Sequence, residues 1–293
     1  MCELHFEEIV SRGLKLKHKG KYNGRHRAWG YCHEQFVKAR ARVASYDKDY
    51  LCLHLSVYLT NWGMYRGSSA LLFNDYRVHE DAVDIILDQK YNNLWNYNPF
   101  DPSNNVSLPQ ELFDRQNGAL WQVYNKMMER TNYPRKKQDF PNASEILVTK
   151  VMLGTWGCVP AYDEYLTKAL KYLNLPQRFS EKEFYEVVDY FRECPEVFKV
   201  INSLPKYTPM KIIDAYLWEL GLELSLKDLL LKKIDKYPYV NGIYHYDGKD
   251  LMSIDEFSKK SSTEKEILRK ELLKEIEAKL LKGGSKCQCG KVL

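Results

Sequence analysis

The chain has 293 residues, 44% of them hydrophobic, with a formal net charge of +5 and a pI near 8.6, the composition of a folded soluble protein with room for one large or two small cores. No segment reaches the ~18 consecutive apolar residues of a spanning helix, which argues against a membrane partner. Seven cysteines, at 2, 32, 52, 158, 194, 287 and 289, are an odd and scattered set that makes no disulfide framework.

The N-terminus, MCELHFEEIV, is acidic and lacks an apolar signal stretch, so a cytoplasmic location is expected. Tyrosine is the outlier, at 22 residues. It suits a grooved binding surface that is apolar and hydrogen-bonding at once, and it also rises with an AT-rich genome. Residues 12 to 42 collect Arg12, Lys15, Lys17, Lys19, Lys21, Arg25, Arg27, Lys38, Arg40 and Arg42 against Glu34 alone. Such a segment is either a phosphate-contacting arm or a solvated face.

From Tyr50 onward, Leu51, Leu55, Tyr58, Leu59 and Trp62 recur at helical spacing until Gly63. A second helix carries Val83, Ile86 and Leu87. The stretch YNNLWNYNPFDPSNNVSLP has too many turn formers for regular structure. Gln110 to Arg130 returns to helix on Leu112, Leu120, Val123, Tyr124 and Met127. A basic, proline-bracketed loop from Tyr133 to Asn142 leads to Ser144 as an N-cap.

Ser144–Thr155 and Tyr162–Leu173 read as two helices around Gly154, Gly157 and Pro160, with Asp163 facing a cleft. Leu175-Pro176 closes the second. Ser180 to Glu183 is a capping box opening a helix through Phe191, and Pro209 opens another, PMKIIDAYLWEL. Residues 237–257, with Asp247-Gly248, give the one β signal, a small hairpin. A last helix, Thr263 to Lys282, stops at Gly283-Gly284. The fold class is mostly α, with three stretches: 1–100 with the basic arm, 101–282 with Asp163 and the hairpin, and a flexible tail over 283–293.

Three constellations bear on chemistry. Asp163 at a helix start is either a plain N-cap or a carboxylate placed to stabilise positive charge on a sugar and to orient water. Asn61 to Ser69, NWGMYRGSS, gathers Trp62, Tyr65 and Arg66 among glycines and serines. That set offers stacking and edge donors to an extruded base, or else forms a tight helix junction with Trp62 buried. Trp95, Tyr97 and Phe100 either wedge into a duplex or pin their loop to the body. Arg135, Lys136 and Lys137 are candidate phosphate contacts. No metal is expected: Cys32-His33 with His26 lacks a fourth ligand, and Cys287 with Cys289 is half a zinc knuckle. No P-loop, GxGxxG, HExxH or nucleophile elbow is present, so no cofactor is expected either.

The segment SEILVTKVMLGTWGCVPAYDEYLTKALKYLNL resembles the helix-hairpin-helix DNA glycosylases, in which an apolar helix runs through a Gly/Pro turn into a catalytic aspartate. Val159-Pro160-Ala161-Tyr162 matches their turn, and DAYLWELGLE resembles a helix that follows it in distant relatives. The resemblance implies DNA as partner, Asp163 as the catalytic residue, and Trp62, Tyr65, Arg66 and Tyr162 as a base pocket. It also implies Arg135, Lys136, Lys137 and Lys150 on the DNA backbone.

The chain departs from the family pattern twice. The hairpin glycines are replaced by Phe140-Pro141-Asn142-Ala143-Ser144, and Leu147 stands where bifunctional members carry a nucleophilic lysine. The chain therefore resembles a monofunctional glycosylase or an inactive one; a monomer is expected. WGMYRGSS-like and PAYD-like segments resemble proteins of bacterial mobile and defence regions, which implies a role against foreign DNA. A non-catalytic nucleic-acid-binding module and a helical protein-interaction scaffold are the competing classes.

Overall fold

The computed structural model describes residues 6–14, 24–42, 45–67, 69–101, 108–131, 144–236, 245–246 and 249–250. It is mostly helical: α1 Phe6–Gly13, α2 Gly24–Arg40, α3 Lys48–Asn61, α4 Glu80–Leu87, α5 Leu108–Phe113, α6 Ala119–Thr131, α7 Glu145–Gly154, α8 Glu164–Tyr172, α9 Glu181–Arg192, α10 Pro195–Ser203 and α11 Pro209–Lys236. Two short 3-10 helices, Tyr76–His79 and Gln89–Asn96, flank α4. Among the described residues the strands are β1 His245–Tyr246 and β2 Lys249–Asp250, antiparallel with Tyr246 opposite Lys249. The rest of the 237–257 segment, the helix expected over 263–282 and the tail over 283–293 lie outside the described residues.

Local chemistry sets the helix ends. Ser144, Asp163 and Ser180 each cap a helix by accepting the N–H three residues on, from Leu147, Leu166 and Glu183. The α1 N-terminus is capped from another element: the Glu196 carboxylate of α10 accepts the N–H groups of Phe6 and Glu7 at 3.1 and 3.2 Å. At the end of α3, Met64 N–H bonds to Leu59 O and Gly63 N–H to Thr60 O, a Schellman closure with Gly63 at φ +76°.

The single helix expected over 110–130 is two. The Asp114 carboxylate accepts the N–H groups of Gln116 and Asn117, drawing the backbone out of the helix. Gly118 then passes so close that a Cβ there would lie 2.5 Å from Asp114 O.

One hydrophobic cluster includes residues from Phe6 to Leu217. Its spine is α11, which packs against α8 on one side and α1 on the other. Both approaches need glycine. A Cβ on Gly221 would meet Tyr165 O at 1.8 Å, and one on Gly13 would meet Ala215 O at 2.4 Å. Phe6 of α1 stacks on Tyr216 at 4.8 Å, while Tyr165 of α8 meets Trp218 edge-on at 5.4 Å.

Gly221→Ala is expected to lower unfolding stability by about 2–3 kcal/mol, the upper range for overpacking, because the obstruction is backbone. Urea denaturation measures this, and a loss below about 0.5 kcal/mol would show that the α8–α11 spacing is not fixed by this glycine.

Candidate functional site

The turn from Thr155 to Asp163 is held on three sides. From α2, Trp29 Nε1–H donates to Leu153 O at 2.8 Å, and His33 Nδ1 lies 2.6 Å from Thr155 O. A carbonyl only accepts, so His33 carries its proton on Nδ1. These bonds occupy carbonyls that the end of α7 leaves without helical partners. From α3, Tyr58 is fully buried against Gly154, where a Cβ would lie 2.3 Å from its ring. From α7 itself, the Thr149 hydroxyl accepts the N–H of Tyr162 at 3.1 Å.

Asp163 stands at the end of this turn, its side chain 16% exposed. Its Oδ1 caps α8 and its Oδ2 lies 2.7 Å from Lys150 Nζ. The Lys150 side chain is only 4% exposed and points inward from an apolar helix. A second ion pair lies alongside. Lys211 Nζ donates to Asp214 Oδ2 at 2.7 Å, with both side chains buried, and Asp214 Oδ1 accepts the N–H of Ala161 at 3.0 Å. The two ammonium groups share one aromatic neighbour: Lys150 Nζ is 5.1 Å and Lys211 Nζ 5.4 Å from the centroid of the half-buried Trp62 ring. Trp218 closes on Trp62 edge-on at 5.5 Å.

The structure thus joins Asp163, Trp62 and Lys150, and corrects several expectations. Lys150 does not face a DNA backbone; it is in the interior, where its charge requires Asp163. Tyr162 is not free to line a base pocket. It is 4% exposed and packs on Phe179 at 4.8 Å, because the Thr149 bond turns the chain inward there. Tyr65 is committed to an internal chain: its hydroxyl bonds Ser56 Oγ at 2.9 Å and His79 Nε2 at 3.0 Å. Arg66 is exposed and lies against Gly63, at the far side of the α3 closure.

Trp95, Tyr97 and Phe100 are all buried, so they pin their segment to the body and do not wedge into a duplex. Arg135, Lys136 and Lys137, with residues 140–143 of the family-like hairpin, lie outside the described residues. Within the 12–42 segment, Arg12 reaches Glu8, Glu219 and Glu223, Lys38 pairs with Glu34, and Arg40 bonds Asn92 over the Trp95 ring. Arg12 and Arg40 thus tie α1 and α2 to other elements, Lys38 pairs with Glu34 at the surface, and residues 15–23 of the segment lie outside the described residues.

Sequence reasoning missed Lys211 and Asp214, and it missed the inward direction of Lys150. A signal was present. Opposite charges three apart within the apolar run PMKIIDAYLWEL, and one lysine in EILVTKVMLG, have no solvated face to occupy.

Among the described residues no group of three or more His, Cys, Asp or Glu is placed to hold a metal, and no helix is long and apolar enough to cross a membrane. No family model, curated protein or solved structure matches the chain.

Asp163→Asn keeps a cap acceptor but leaves Lys150 buried without its counter-charge. The loss is expected to be about 3 kcal/mol or more, above the ~1 kcal/mol of a cap alone. Lys150→Met with Asp163→Asn should recover most of it. Urea denaturation of the two variants decides; equal losses would mean that the pair contributes nothing beyond the cap.

His79 gives a pH dependence. Burial holds its imidazole down to about 3 from an ordinary 6.5, so the folded ring stays neutral where the unfolded one takes up a proton. Its contribution is complete above pH 6.5 and is lost as pH falls toward 3, at ~1.4 kcal/mol per pH unit. Between pH 6.5 and 5 the wild type should lose about 2 kcal/mol more than His79→Gln by urea denaturation. Parallel pH profiles would exclude His79 as the source.

Proposed function

We propose that this chain is a DNA glycosylase of the helix-hairpin-helix kind, hydrolysing the N-glycosidic bond of an extruded, modified base with Asp163 as its carboxylate. The observation that carries the reading is the partly exposed Asp163 carboxylate at the N-terminus of α8, linked through Lys150 to the half-buried ring of Trp62. In the proposed step the C1′–N bond breaks and the base leaves with the electron pair. Positive charge on the sugar is stabilised by the carboxylate, and water adds at C1′ as its proton passes to Asp163. Trp62 supplies an aromatic face for the base, and Lys150 holds the carboxylate in one orientation.

Lys150 is not assigned a nucleophilic role: its Nζ is held on the Asp163 carboxylate, and Leu147 stands at the position of the family's nucleophilic lysine. The enzyme is monofunctional and acts as a monomer in the cytoplasm, with modified bases of foreign DNA as the substrate class.

One observation favours a second reading. Both Asp163 oxygens are already engaged, one by the cap and one by Lys150. That suits a non-catalytic nucleic-acid-binding module on the same scaffold.

The test incubates the protein with genomic DNAs of differing base modification and scores alkali-labile abasic sites. Wild type should release base from at least one DNA. Lys150→Met should keep activity to within about tenfold, while Asp163→Asn loses about a hundredfold or more with DNA binding intact. Borohydride should trap no covalent adduct. Salt-sensitive DNA binding without abasic sites would establish the second reading instead.

A further inference from the structure

Asp214 lies outside the proposed chemistry, yet it is bonded to the turn that delivers Asp163. Its Oδ1 accepts the N–H of Ala161 at 3.0 Å, and the Ala161 carbonyl accepts the N–H of Asp163 at 2.7 Å. One chain of hydrogen bonds therefore runs from the second turn of α11 to the backbone of Asp163. The other oxygen of Asp214 is occupied by Lys211, whose ammonium is 5.8 Å from the Trp29 ring centroid and 5.4 Å from that of Trp62. Residue 214 is 3% exposed. A carboxylate this deep has no competing water, so its bond to Ala161 fixes the turn more firmly than a surface contact would.

We propose that Asp214 is the positioning residue for Asp163. Its Oδ1 sets the 161–163 backbone so that Asp163 Oδ2 meets Lys150, and Lys211 supplies the counter-charge that lets Asp214 remain buried. The inference rests on the reading of Asp163 as the reacting carboxylate, and extends it to a residue that touches neither base nor sugar.

The test separates the hydrogen bond from the charges. Lys211→Met with Asp214→Asn removes both charges but keeps an acceptor for Ala161. Lys211→Met with Asp214→Leu removes the acceptor as well, and Lys211→Met with Asp214→Ala does so without added bulk. None leaves an unpaired buried charge. Circular dichroism confirms the helical fold of each. The first readout is acetylation of Lys150 by an activated ester, measured by peptide mass spectrometry against the 87% exposed Lys182. The second is kcat and KM for base release.

The Asn variant should protect Lys150 to within about twofold of wild type and retain kcat. The Leu and Ala variants should acetylate Lys150 about tenfold faster and lose about tenfold in kcat, with KM changed less than about twofold. Equal Lys150 protection in all three variants would overturn the proposal. If no protein, wild type included, releases base while Lys150 protection still separates the variants, the glycosylase reading fails and the positioning of Asp163 by Asp214 stands.

Discussion

Removing an ammonium group from water costs several kcal/mol unless a counter-charge meets it with good geometry. Lys150 and Lys211 both end in the interior, within 5.4 Å of the same indole ring, and each reaches its own aspartate at 2.7 Å. That requirement ties together parts of the chain far apart in sequence. α7 brings Lys150, the turn before α8 brings Asp163, and α11 brings Lys211 with Asp214 one turn later. The glycines that let α8 and α1 close on α11 serve the same end, since a wider spacing around α11 would move the second pair away from the turn.

The first third of the chain takes part in this arrangement directly. Trp29 and His33 stack on one another at 4.9 Å and hold two carbonyls at the end of α7, while Tyr58 of α3 and Trp62, at its C-terminal cap, cover Gly154 and the lysines. Burial holds the His33 imidazole below its ordinary range, opposed in part by its bond to Thr155. A helix end closed by aromatic side chains of another helix is closed only while both are packed, so the order of the turn depends on the whole core.

What the sequence disclosed follows from how local each cause is. The caps at Ser144, Asp163 and Ser180, the proline start of α11 and the apolar stripe of α3 depend on neighbouring residues, and they could be read directly. The break between α5 and α6 depends on whether Asp114 bonds its own backbone, a competition that periodicity does not register. The aromatics of the Asn-rich stretch were ambiguous because composition reports turn formers and not which way Trp95, Tyr97 and Phe100 face. Asp163 was visible as a helix start beside an apolar turn. Its partners were not, since Lys150 is thirteen residues away and the Ala161–Asp214 bond spans fifty-three. Only packing brings them together.

The pairing of the lysines with aspartates also shapes the electric field outside the protein. Two cations and two anions in close array cancel as a monopole, and the potential of the remainder dies away within a few ångströms. A polyanion approaching from solvent would feel no pull from this interior cluster, however highly charged its members. Attraction at the scale of a Debye length, about 8–10 Å in physiological salt, falls to surface cations, while the cluster acts only on what has already come into contact. In the proposed glycosylase, capture and chemistry would then be carried by different charges and could change independently.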